Sequence, residues 1–64
     1  MTAEFIHNGK KHQFDVSDTS PPAFIVYSGR ACPKSPVLRF NLCFARMDYE
    51  RRVAVYDVLA FKSE

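Results

Sequence analysis

The chain has 64 residues, 47% of them hydrophobic, with six Phe, three Tyr, no Trp and a net charge of +2 at pH 7. That length supports one domain, residues 1–64, which buries about 60% of its unfolded surface, and the apolar content excludes intrinsic disorder. The charge balance is less one-sided than in dedicated nucleic-acid binders, and no apolar run approaches the roughly 20 residues of a membrane helix.

The first segment, Met1-Thr2-Ala3-Glu4-Phe5, carries an acidic residue where a signal peptide needs a basic one, so a cytoplasmic protein is expected. Asn8-Gly9 then supplies the positive φ angles that a two-residue hairpin turn demands. That turn pairs His7 with Lys10, Phe5 with His12 and Ala3 with Phe14. Ala3, Phe5, Phe14 and Val16 share a core face, with His7, Lys10 and His12 toward the turn. Thr2, Glu4, Lys11, Gln13 and Asp15 form a face expected to be solvated.

Ser17 to Pro22 is a polar break with two prolines. Ala23-Phe24-Ile25-Val26-Tyr27 follows as a continuous apolar run, the pattern of a central strand buried on both faces. Ser28 to Pro36 is a second loop, stiffened at its end by prolines.

Val37 to Phe61 reads as one long hairpin, folded back at residues 47–51. Alternation puts Leu38, Phe40, Leu42 and Phe44 on one side, joined by Ala54, Tyr56, Val58 and Ala60. Val53, Val55, Leu59 and Phe61 fall on the other side, among Arg39, Asn41 and Asp57. Pairing Arg46 with Arg52 sets Asn41 opposite Asp57, with Arg39 on the diagonal. A helix over 49–62 is the alternative, because Asp48 suits an N-cap and Lys62 a last turn. Against it stand the β-branched Val53, Val55 and Val58 and charges scattered around the helical wheel.

The expected fold is therefore all-β: a small five-stranded antiparallel sheet or barrel made of a hairpin, a middle strand and a long hairpin. The alternative is α+β, with a C-terminal helix on a four-stranded sheet.

Chemistry-bearing patterns are few. His7 and His12 with Cys32 and Cys43 lack the spacing that fixes a zinc site, and Cys32 has no positioned base beside it. No paired carboxylates are present for acid–base work, and so small a domain rarely encloses a substrate. No enzyme, cofactor or metal is expected, and the two thiols are read as reduced and structural. Arg30 to Pro36 fits the spacing Arg-x-x-Pro-x-x-Pro, which proline-recognition domains read as an extended left-handed helix, although such short patterns arise often by chance.

The apolar second face of the long hairpin carries the functional expectation, because 64 residues can cover one such face and not both. A stand-alone protein-binding module is expected, working as a homodimer or as a modulator or inhibitor of a larger protein. Its contact residues are Arg39, Asn41, Val53, Val55 and Asp57 on that face, with Arg46, Tyr49, Arg51 and Arg52 at the tip. The alternative is a small β-barrel nucleic-acid binder that uses the tip arginines, Lys10, Lys11 and exposed tyrosines.

Overall fold

A computed structural model describes residues 1–16, 20–30 and 33–63. They form five strands: β1 (Thr2–His7), β2 (Lys10–Asp15), β3 (Phe24–Gly29), β4 (Leu38–Asp48) and β5 (Val53–Ser63). The class is all-β, and the segment weighed as a helix is strand. The strands lie in one sheet in the order β2-β1-β5-β4-β3, curled into a half-barrel. Three pairs are antiparallel, and β1 runs parallel to β5 through Thr2–Val53, Ala3–Ala54 and Glu4–Val55. The sheet is thus mixed rather than purely antiparallel.

The first hairpin forms in the expected register. Asn8 and Gly9 adopt φ of 51° and 73°, and His7 faces Lys10, Phe5 faces His12 and Ala3 faces Phe14. Reciprocal bonds between Met1 and Val16, at 2.8 and 2.9 Å, extend that ladder by one rung.

The concave face holds the core: Ala3, Phe5, Phe40, Leu42, Ala54 and Tyr56, flanked by Phe14, Ile25, Tyr27, Leu38, Met47 and Val58. Phe5 is its hub. Its ring lies 4.8 Å from His12, 5.4 Å from Tyr27 and 4.9 Å from Phe40, and so touches rings of three other strands. Phe14 of β2 stacks on Tyr27 of β3 at 4.9 Å, although these two strands are the edges of the sheet. Side chains, not backbone ladders, therefore span the open seam. Tyr56, buried in the core, donates its hydroxyl to the Pro22 carbonyl at 2.6 Å and ties the end of the segment before β3 to the sheet.

Two expectations about strand placement are corrected. The apolar run 23–27 becomes β3, an edge strand, not a central one. It is apolar on both faces, but only Ile25 and Tyr27 pack on the core; Phe24 and Val26 face outward with 72% and 64% of their surface exposed.

The long hairpin also differs in register. Asp48 pairs with Val53 across a turn at 49–52 in which Arg52 takes a φ of 57°, so Arg46 meets Val55 rather than Arg52. Two bulges follow, one at Ala45 on β4 and one at Leu59 on β5. The second inverts the alternation of β5, because each inserted residue exchanges the faces beyond it. Phe61 consequently lies beside Phe40 on the concave side, ring to ring at 5.9 Å, and Ala60 turns outward beside Asn41. Asp57 pairs with Cys43, so the proposed Asn41–Asp57 pair does not form.

Truncating the hub, Phe5→Ala, should cost about 3–5 kcal/mol, comparable with the whole stability of a domain this small. Far-UV circular dichroism at 25 °C should then report a largely unfolded chain. Arg52→Gly relieves a left-handed backbone and should raise stability by about 0.5–1 kcal/mol, measured by urea denaturation.

Candidate functional site

Three regions of the surface carry polar or apolar groups that the core does not absorb. The first is the hairpin tip, where Arg51 is tied down. Its Nη2 donates to Glu4 Oε2 at 3.0 Å and its Nε to Asp48 Oδ2 at 2.8 Å, while its backbone N–H donates to Asp48 Oδ1 at 3.2 Å. Glu4 was expected on a solvated face, yet it is only 4% exposed. The parallel pairing with β5 covers it, and Gln13 Nε2 reaches its other oxygen at 3.4 Å. The Arg51 bond holds the Glu4 carboxyl below its usual range despite burial, which acts in the opposite sense, and Gln13 adds to the lowering. The same guanidinium lowers Asp48, and its own pKa rises through both carboxylates. Arg51 therefore links turn, β4 and β1. Arg46, Tyr49 and Arg52 remain exposed around it.

The second region is the outward face of β3, β4 and β5. Arg39, Asn41 and Asp57 all emerge there and are exposed, as the alternation requires. Val53 and Val55 share the outward parity but are not free contact residues. Val53 is 5% exposed and Val55 half-buried, since β1 runs alongside both.

In their place the fold brings Phe24 and Val26 to this face. Register sets Phe24 beside Cys43 and Asp57, Val26 beside Asn41 and Ala60, and Ser28 beside Arg39 and Lys62. Leu59, at the bulge, adds a further exposed apolar side chain. No positional signal marked Phe24 and Val26 as surface. Their run reads as core until the strand order is known.

The backbone of β3 matters as much. The Phe44 N–H donates to the Ala23 carbonyl at 2.9 Å, so residues 23, 25, 27 and 29 direct their peptide groups toward β4. Phe24, Val26 and Ser28 then direct theirs to the open edge. The six residues of β3 contain no charge and no proline. The other edge, β2, carries Lys10, Lys11 and Asp15.

The third region is a cavity of about 250 Å³ at the end of the half-barrel beside the first turn. Its walls include Phe40, Phe61, Leu38 and Tyr27, and His7, Lys10, His12 and Arg30 stand around it. No carboxylate lines it among the described residues. His7 packs against Phe61 at 4.4 Å and Phe40 at 5.0 Å, and His12 stacks on Phe5. Burial lowers the His12 pKa, and the nearby positive Lys10 and His7 lower it further. Gly29 leaves room for the Tyr27 ring, since a Cβ at that position would stand 3.0 Å from it and the ring would have to shift. The sequence reading placed His7, Lys10 and His12 together but missed the cavity, which needs Phe61 turned inward.

Cys43 lies on the outward face and the two histidines on the concave side, so they do not converge, and no group of three metal-ligating residues occurs among the described residues. Cys32, weighed as a nucleophile and ligand, lies outside the described residues. The Arg30–Pro36 pattern is interrupted, since Arg30 Nη1 bends back to the Pro33 carbonyl at 3.2 Å and the chain turns at Pro33–Lys34. Residues 31 and 32 of that pattern also lie outside the described residues. No helix among the described residues is long and apolar enough to cross a membrane.

Comparison with protein-family models, with curated proteins and with solved structures finds no match.

The Glu4 network has a pH signature. A carboxylate lowered by folding stabilises the native state above its unfolded pKa of 4.5, and that contribution is lost as pH falls through the folded value. Denaturant midpoints should therefore fall on acidification below 4.5, and Glu4→Gln should flatten that dependence. At neutral pH, Glu4→Ala should cost about 1–2 kcal/mol in urea titrations, limited because the half-exposed Arg51 returns to water.

Proposed function

We propose that this chain is a small protein-binding module whose first partner is a second copy of itself, joined edge to edge through β3. The observation that carries this reading is the open, uncharged edge of β3, with Phe24 and Val26 exposed on its outward side. An edge strand of this kind is a template for another strand unless charge, proline or a bulge blunts it, and β3 has none of these. β2 is blunted by two lysines and an aspartate, which leaves β3 as the edge that pairs.

The outward peptide groups restrict the register of such a pair. Phe24, Val26 and Ser28 are the residues whose peptide groups face outward, so they must form the hydrogen-bonded rungs. A twofold antiparallel arrangement centred on Val26 sets Val26 opposite its own copy and Phe24 opposite Ser28. Each such rung exchanges two hydrogen bonds. The neutral strand is compatible with itself at every rung, because no like charges meet. Phe24 and Val26 of both copies then form one apolar strip, with Arg39, Asn41 and Asp57 as its polar rim.

A six-residue strand pair with two apolar side chains from each copy falls below the roughly 1,200 Å² of stable interfaces. The dimer should accordingly dissociate on the order of 10 µM. The nucleic-acid alternative gains no support at the tip, where Arg51 is already bound to Glu4 and Asp48.

Sedimentation equilibrium across concentration tests the reading. The native chain should pass from monomer to dimer, and Val26→Lys should remain monomeric with unchanged urea stability. Val26→Pro removes only an N–H that faces the open edge, so it too should abolish dimerisation while the domain stays folded. A native chain that stays monomeric up to about 1 mM, where a weak strand-pair dimer must appear, overturns the proposal.

A further inference from the structure

We infer that the cavity beside the first turn binds a small organic anion with a flat apolar body. The observation is a matched pair of surfaces in one space of about 250 Å³. Its floor and walls are rings and a leucine: Phe40, Phe61, Tyr27 and Leu38. Its rim is basic: Lys10 on β2, Arg30 just after β3, and the imidazoles of His7 and His12. No acidic side chain offsets them there among the described residues. Small-molecule sites have this composition, an apolar concavity with a few convergent polar groups.

The sign of the ligand follows from the rim. Aromatic walls alone would also suit a cation, through the faces of the rings. Two permanent cations and two imidazoles make that unfavourable, and they favour a carboxylate or a phosphate. Charge-assisted hydrogen bonds from Lys10 and Arg30 are the expected contacts to it. Both imidazoles line the space beside these cations, His7 against Phe61 and Phe40 and His12 stacked on Phe5.

The shape of the body follows from the walls. His7 and Phe61 stand nearly edge to face at 4.4 Å and Phe40 tilts against Phe61, which leaves ring faces and edges rather than a narrow channel. A planar fused ring packs against such a surface better than a flexible chain, which loses rotamer freedom on binding. Phe61 has 53% of its surface exposed in the free protein, and a bound ring would cover it. Tyr27 and Gly29 of β3 line the site, whereas Phe24, Val26 and Ser28 of the same strand carry the open edge.

Protonation is coupled to occupancy. His12 faces Phe5 of β1, Tyr27 of β3 and Phe40 of β4, and the charged or titratable neighbours around it are His7, Lys10, Arg30 and Tyr27. Burial disfavours the protonated form of His12 in the free protein, and an anion among these groups favours it, so binding takes up a proton there and tightens as pH falls.

The probes are naphthalene carboxylate, naphthyl phosphate and the uncharged naphthyl methanol, titrated by calorimetry and by NMR of the imidazole resonances. The carboxylate or the phosphate should bind one per chain, at least about tenfold tighter than the alcohol, and shift both His7 and His12. Whichever anion binds tighter identifies the headgroup. Lys10→Gln should remove most of the difference between anion and alcohol, and Phe61→Ala should weaken all three ligands about tenfold. Both positions are exposed, so neither variant threatens the fold. Affinity for the anion should rise several-fold from about pH 8 to about pH 6. Equal binding of alcohol and anions, or shifts centred on Phe24 and Val26 instead of the histidines, would overturn the inference.

Discussion

The structure depends on a ring cluster that closes what the backbone leaves open. Five strands curled into a half-barrel have two free edges, β2 and β3, and no ladder joins them. Phe5 reaches rings of both edges and of β4 from its place on β1, and Phe14 stacks directly on Tyr27 across the seam. Apolar contact is non-directional, so it can span a gap that hydrogen-bond geometry cannot. A small chain gains a second benefit: large rings fill the concavity with few residues.

Side-chain closure has a consequence for the surface. A barrel closed by a ladder has no edge to offer, whereas this one keeps the outer peptide groups of Phe24, Val26 and Ser28 unsatisfied by the sheet. The cavity at one end has the same origin. Where the rings of Phe40, Phe61 and Tyr27 line the end of the half-barrel, the concave face stays hollow and basic residues gather around it. Both features follow from incomplete closure, and each has a distinct chemistry: a neutral apolar edge on one side, a cationic aromatic mouth at one end.

The convex side is organised by charge. Glu4 is buried because β1 lies between β2 and β5, and a carboxylate there needs compensation. Arg51 and Gln13 provide it, one oxygen each. That arrangement fixes the hairpin tip to β1, 47 residues away in sequence, and engages the exposed Arg51 guanidinium in two ion pairs. It also rests on the parallel pairing of β1 with β5, for which no local signal exists.

Local chemistry was legible in the sequence. Asn8-Gly9 set the first turn and, through it, the register of every rung of β1 with β2. The β-branched valines made β5 a strand, and alternation along β4 named Leu38, Phe40, Leu42 and Phe44 as one side. Alternation also sent Arg39, Asn41 and Asp57 outward together. These inferences concern neighbours in the chain, where a turn type or a period of two carries the information.

Everything that required distant strands to meet was decided by the tertiary structure. Strand order made Ala23–Tyr27 an edge, so a run that reads as core exposes Phe24 and Val26. The bulge at Leu59 inverted the faces beyond it and moved Phe61 from the outer side to the cavity wall, and a single inserted residue leaves no mark in the hydrophobic pattern. The parallel pairing of β1 with β5 buried Val53 and Glu4, which alternation alone leaves on the outer face. The physical reason is the same in each case. A side chain's direction is a local property of its strand, but its burial is set by which strand lies next to it.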